Sequence, residues 1–154
     1  MWIMAYPRMV GILLLVVAAC SSYRQKYDNE ISVACNEAAG KSLKVEALWL
    51  KPRGEFIHVL LRFTNQYDDP VSIDGLMVSL SFGDDPGRLH KAVARQTMQS
   101  GETCKTVFVF KLGKKMEAEG TATVSVRPRT EGGRLLPAAT LRLPVKPWVG
   151  QSPG

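Results

Sequence analysis

The chain is poor in the residues from which metal and redox centres are built. Two His and three Cys in 154 residues leave no cluster with zinc-ligand spacing. No Gly-x-Ser-x-Gly run surrounds Ser79, Ser81 or Ser100, so no hydrolase elbow is encoded. Aromatic residues make up only 8% and fall mostly at positions with buried-face periodicity. They are not interleaved with Lys and Arg, which argues against a nucleic-acid platform. Long apolar runs are missing too: the charge-free run Met9–Ala19 has eleven residues, whereas a spanning helix needs about 20. Helical periodicity never extends beyond about two turns, and 13 Gly and nine Pro favour turns between short elements. At 45% hydrophobic and 22% charged residues, the composition excludes wholesale disorder.

What is present begins with an export signal. A positive start (Arg8), the short apolar run Met9–Ala19 and an abrupt change to Ser21-Ser22-Tyr23-Arg24 are the layout of a secretory signal peptide. Its end, Val17-Ala18-Ala19-Cys20, resembles the lipobox of bacterial lipoproteins: an aliphatic residue, two small ones, then the Cys whose thiolate accepts the lipid. The resemblance implies a cleaved segment 1–19 and a lipidated Cys20. Two or more acyl chains anchor stably, and in a host with two membranes a Ser21 in place of Asp implies sorting to the outer membrane, facing the periplasm. Loss of residues 1–19 removes Arg8 and no acid, so the formal charge goes from +6 to +5. The remainder is long enough to bury a real core.

Residues 20–41 read as a polar tether with room for a short helix over Ile31–Ala39, followed by a domain over 42–146 and a flexible tail over 147–154. Alternation dominates the domain. Leu43, Val45, Ala47 and Trp49 fall on one face of a first strand, with Leu48 and Leu50 blurring the other, and Pro52-Arg53-Gly54 ends it. Ile57, Val59, Leu61 and Phe63 alternate strictly with His58, Leu60, Arg62 and Thr64. Further strands are expected over Leu76–Phe82, Lys91–Thr97, Thr103–Leu112, Thr121–Val126 and Leu141–Val145. About seven short strands with turn signals between them predict an all-β, antiparallel, immunoglobulin-like sandwich, with a closed barrel as the alternative.

With Cys20 committed to lipid, Cys35 and Cys104 remain, and two thiols outside the cytoplasm are expected to pair. That bridge would close a loop of about 69 residues, worth about 4 kcal/mol in the chain-entropy model. Candidate chemistry is thin. His58 lies on the strand face opposite Ile57 and Phe63, an exposed or edge imidazole rather than a base, and His90 lies in a basic loop. Asp68, Asp69, Asp74, Asp84 and Asp85 read as turn formers without the regular ligand spacing of a calcium loop. No catalytic residue, metal or cofactor is expected. The basic groups Lys51-Arg53, Arg88-His90-Lys91-Arg95, Lys111-Lys114-Lys115 and Arg127-Arg129-Arg134 are spread along the chain and read as solvated faces.

The stretch Val59-Leu60-Leu61-Arg62-Phe63-Thr64-Asn65, Asp69-Pro70-Val71, Gly75-Leu76-Met77-Val78-Ser79-Leu80 resembles late-embryogenesis-abundant type-2 domains and related immunoglobulin-like envelope domains. It departs from them in separating Asn65 from Pro70, which that family keeps adjacent. The resemblance implies a sandwich without catalysis and transfers no functional residue. The expected function is therefore a lipid-anchored, non-enzymatic envelope protein that binds a protein partner or supports an envelope assembly, with no nucleic-acid partner. The alternative is a lipoprotein that takes a small ligand or envelope polymer on its basic loops.

Overall fold

Short apolar–polar alternation makes this chain an antiparallel β-sandwich, not a closed barrel. The structure, a computed structural model, describes residues 24–27, 33–38 (as backbone) and 41–147. The expected signal segment 1–19, Cys20 and the expected tail beyond Pro147 lie outside the described residues. The strands are β1 (Gln25–Lys26), β2 (Val33–Ala38), β3 (Lys41–Arg53), β4 (Phe56–Asn65), β5 (Val71–Ile73), β6 (Val78–Phe82), β7 (Asp85–Pro86), β8 (Arg88–Leu89), β9 (Gln96–Met98), β10 (Thr103–Lys111), β11 (Gly120–Val126), β12 (Arg129–Thr130) and β13 (Ala139–Val145).

The large sheet runs β1–β3–β4–β10–β8, with β2 beside β1 along the same edge of β3; a second sheet runs β13–β11–β6–β7 and a small one β12–β5–β9. Their inner faces share one core. Phe63, Phe108, Ile57 and Leu50 on the large sheet pack against Leu80, Val124, Leu141 and Leu143 on the second. Phe63 is 1% exposed and meets the Phe108 ring edge to face at 6.2 Å, a favoured aromatic geometry.

The structure refines several sequence expectations. Val33–Ala38 is a strand paired with β3, not a helix, and Gln25–Lys26 also pairs with β3, so the lead contributes two pieces of sheet. Here β1 is pinned to the opposite sheet as well. The Gln25 side chain donates to Pro144 O at 2.6 Å and accepts from Lys146 N at 3.0 Å. The hydroxyl of Tyr27 donates to the same Pro144 carbonyl at 3.0 Å. Pro144 sits on β13 next to the end of the sheet, where its missing N–H costs no ladder bond. The first long strand continues through Pro52 and Arg53, and the chain reverses only at Gly54-Glu55, where Gly54 takes a φ of 59° that most other residues resist. Lys91–Arg95 is irregular, and pairing resumes only at β9, against β5.

The largest refinement is in β3. Ala47 faces Leu61 and Trp49 faces Leu60, with a bulge between them at Leu48. One extra residue reverses the facing of everything beyond it. Leu50 therefore enters the core, fully buried, while Trp49, Lys51 and Arg53 turn outward with Leu60, His58 and Phe56.

Two polar devices close the frame. Asn65 at the end of β4 is fully buried and fully bonded. Its Oδ1 accepts from Tyr67 N at 2.9 Å, and its Nδ2 donates to Asp69 O and Met98 O, both at 3.0 Å. Its backbone exchanges bonds with Glu102 O and Gly101 N. One side chain thus sets the loop after β4 and ties it to the β9–β10 turn. On the outer face, Arg62 forks onto Glu46 at 2.6 Å and 3.0 Å, with Lys44 3.6 Å away. The Arg62 hydrogen bond, helped by the charges of Arg62 and Lys44, holds the Glu46 carboxyl below the usual range although burial opposes it.

The expected Cys35–Cys104 bridge is not made: Cys104 is a free thiol. Cys35 lies opposite Lys44 on β3, Lys44 opposite Thr64 on β4, and Thr64 opposite Thr103 on β10. Three strand spacings, about 14 Å, separate the two positions, while a disulfide needs Cα atoms within about 7 Å. The Cys104 sulfur instead lies 3.3 Å from that of Met98, and burial, then the nearby Glu102, pushes its pKa up. Denatured without reductant, the protein should therefore alkylate at Cys104; a peptide mass pairing Cys35 with Cys104 would contradict this sheet order.

The facing of β4 makes a second prediction. Phe63→Ala should destabilise the fold by about 3–5 kcal/mol through lost transfer energy and a cavity. Arg62→Ala should cost less, and only where Glu46 is ionised. The depressed carboxyl contributes stability above its unfolded pKa and loses it as pH falls through the folded one, so the penalty should fade at acid pH. Denaturant midpoints at pH 7 and pH 3 check this. An Arg62→Ala loss as large as that of Phe63→Ala, and equal at both pH values, would refute it.

Candidate functional site

With the bulge in place, the outer face of the large sheet carries three rows of side chains in register. Lys26 lies opposite Trp49, Trp49 opposite Leu60 and Leu60 opposite Val107. The next row is Lys51, His58 and Val109, and the third is Arg53, Phe56, Lys111 and Arg88. No position in these rows is acidic. Arg24, just before β1, stacks on Trp49 with its guanidinium carbon 4.7 Å from the ring centroid. His90 meets Phe56 edge to face at 4.9 Å. Lys111 stands 5.9 Å over the Phe56 ring and 3.7 Å from Glu55 in the hairpin turn. Val107 is 42% exposed, so the first row forms an apolar stripe across a cationic face.

The electrostatics agree. Burial first, then the charges of Lys51, Lys91, Arg53 and His90, pushes the His58 pKa below the ordinary histidine value. Burial with Arg53 and Arg24 lowers that of Lys51. The back of the sandwich differs sharply. The outward residues of β6, β11 and β13 are Ser79, Ser81, Thr121, Thr123, Ser125, Thr140, Arg142 and Pro144, with a single charge among them.

Of the basic groups that the sequence scatters, Lys51-Arg53, Arg88-His90-Lys91 and Lys111 meet on this face. Lys114 and Lys115 do not: they line a cleft of about 720 Å³ at the end of the sandwich with Asp84, Asp85 and Glu119. Arg134 borders another cleft, with Asp69 and Glu131. The aspartates are dispersed in turn roles. Asp74 accepts from Leu76 N at 2.9 Å, Asp85 accepts from Gly113 N and Lys114 N, and Asp68 pairs with Lys41. Among the described residues no three metal-ligating side chains converge, and no helix is long and apolar enough to cross a membrane. Sequence reasoning missed Arg24, Lys26, Trp49, Leu60 and Val107 as members of the surface. The available signal was the pair Leu48 and Leu50, whose apolar character on the wrong phase marks the bulge.

No protein-family model matches the chain, and no curated protein matches it significantly.

The cation cluster is open to titration. Folding weakens proton binding at His58, so its contribution to stability is full above about pH 6.5, the ordinary histidine value, and declines as pH falls through that value. By NMR the His58 ring should titrate below 6.5, and Lys51→Ala or Arg53→Ala should raise the midpoint. A wild-type midpoint above 6.5 would show that these cations do not surround it.

Proposed function

We propose that the chain is a lipid-anchored, non-enzymatic binding domain of a bacterial cell envelope, held at the outer membrane facing the periplasm. The anchor part of the reading rests on Val17-Ala18-Ala19-Cys20 at the end of a short apolar run. The binding part rests on one observation, the contiguous cationic and aromatic outer face of the large sheet. This face favours an anionic partner, because rows of Lys and Arg with no acidic member, flanked by Glu55 only beside Lys111, raise the local concentration of negative groups. It also draws the expected envelope partner and the alternative basic-loop reading onto the same side chains.

The anchor is tested by labelling cells expressing the full chain with radioactive palmitate. Label should enter the wild type and be lost in Cys20→Ser, which should also accumulate at the mass of the uncleaved form. Equal labelling of both would overturn the reading.

A further inference from the structure

The N-terminal strand couples the candidate anchor to the cationic face. Three residues separate Cys20 from Arg24. An extended chain advances at most about 3.6 Å per residue, so the Cα atoms of Cys20 and Arg24 stand no more than about 14 Å apart. Arg24 already lies on the Trp49 ring, and β1 is bonded both to β3 and, through Gln25, to Pro144 and Lys146. The lead therefore cannot act as a long spacer. A lipid on Cys20 would hold Arg24 within about 14 Å of the anchor, less than two Debye lengths of about 8 Å at physiological salt, and Lys26, Trp49 and Lys51 share the sheet face on which Arg24 lies.

The composition of the face suits that position. Lys and Arg near an anionic leaflet are attracted by its surface potential. Trp is favoured at the headgroup level, where one part of the ring system meets apolar chains and the other meets water. The Trp49–Leu60–Val107 stripe gives this face an apolar component, which a purely hydrated polyanion would not use. The hydroxyl-rich back of the sandwich offers neither feature.

We propose, on the reading of Cys20 as the lipidation site, that the outer face of the β1–β3–β4–β10–β8 sheet is a membrane-surface contact that takes anionic phospholipid headgroups, with Trp49 at the boundary of headgroups and acyl chains. The domain lies against its own bilayer through this face and turns the β6–β11–β13 sheet away from it.

The test uses the full chain, processed in cells and purified from membranes, with Trp2→Phe and Trp148→Phe so that Trp49 is the only tryptophan. It is reconstituted into vesicles of brominated phosphatidylcholine, alone or with about one third phosphatidylglycerol. Mass spectrometry of the N-terminal peptide first reports whether Cys20 is acylated. The brominated lipid should quench Trp49 at least twofold more strongly when phosphatidylglycerol is present. Half-molar salt or Lys51→Glu with Arg53→Glu should remove the difference. Acylated protein whose Trp49 is quenched equally weakly in both vesicle types overturns the surface contact and leaves the anchor intact. Protein without acyl chains overturns the anchor. The contact then stands only if that protein sediments with the anionic vesicles and shows the same quenching, and it falls if it does not. A Trp49 that ignores lipid but becomes shielded from acrylamide by an added anionic polysaccharide also overturns the membrane contact, in favour of a polymer.

Discussion

One extra residue in β3 determines what both sides of the large sheet present. Before the bulge, odd-numbered residues of β3 face the core; beyond it, Leu50 and Pro52 do. Without that change of phase, Trp49, Lys51 and Arg53 would point into an apolar core, where burying an unpaired charge is prohibitive. Leu50, meanwhile, would lie in water. The bulge therefore resolves a conflict between the two halves of the strand and, in doing so, aligns three basic and aromatic rows across β1, β3, β4, β10 and β8. Core and surface arise from the same backbone irregularity, as is common where bulges re-aim side chains.

The remaining stability is arranged around β4, which is paired along nearly its whole length on both sides. Its inner residues Ile57, Val59, Leu61 and Phe63 are essentially inaccessible and contribute their full burial to the hydrophobic driving force. Its end is held by Asn65. Removing that side chain would leave several buried backbone groups without partners, each costing about 1–3 kcal/mol. The Arg62–Glu46 fork on its outer face separates the cationic rows from the more neutral end carrying Thr64 and Thr103, and gives the nearby carboxylate a local partner.

How much of this could be read from the residues depended on whether the signal was local. Strict alternation in Ile57–Phe63, and in the strands around Leu80, Val124 and Leu143, was legible because one face of each is buried and the other is not. The bulge was visible only as an inconsistency at Leu48 and Leu50. The surface itself was illegible. Arg24, Lys51, His58, Lys91 and Lys111 are distant in the chain, and only the pairing of β1, β3, β4, β10 and β8 brings them side by side. The same absence of strand order misled the cysteine argument, which had the compartment chemistry to go on but could not know that β3 and β4 stand between Cys35 and Cys104. The short helix expected over Ile31–Ala39 failed, within the described residues, for a related reason: the edge of β3 recruited Val33–Ala38 as a strand, and tertiary pairing overrode local preference.

The facing set by the bulge is tested most directly by cross-strand nuclear Overhauser contacts in the labelled protein. The account predicts that Trp49 reports proximity to Leu60, and Leu50 to Val59, while Ala47 remains opposite Leu61. An unbulged strand would place Leu48 opposite Leu60 and Leu50 opposite His58. Contacts of that second kind would put Lys51 and Arg53 on the inner side and contradict the cationic face.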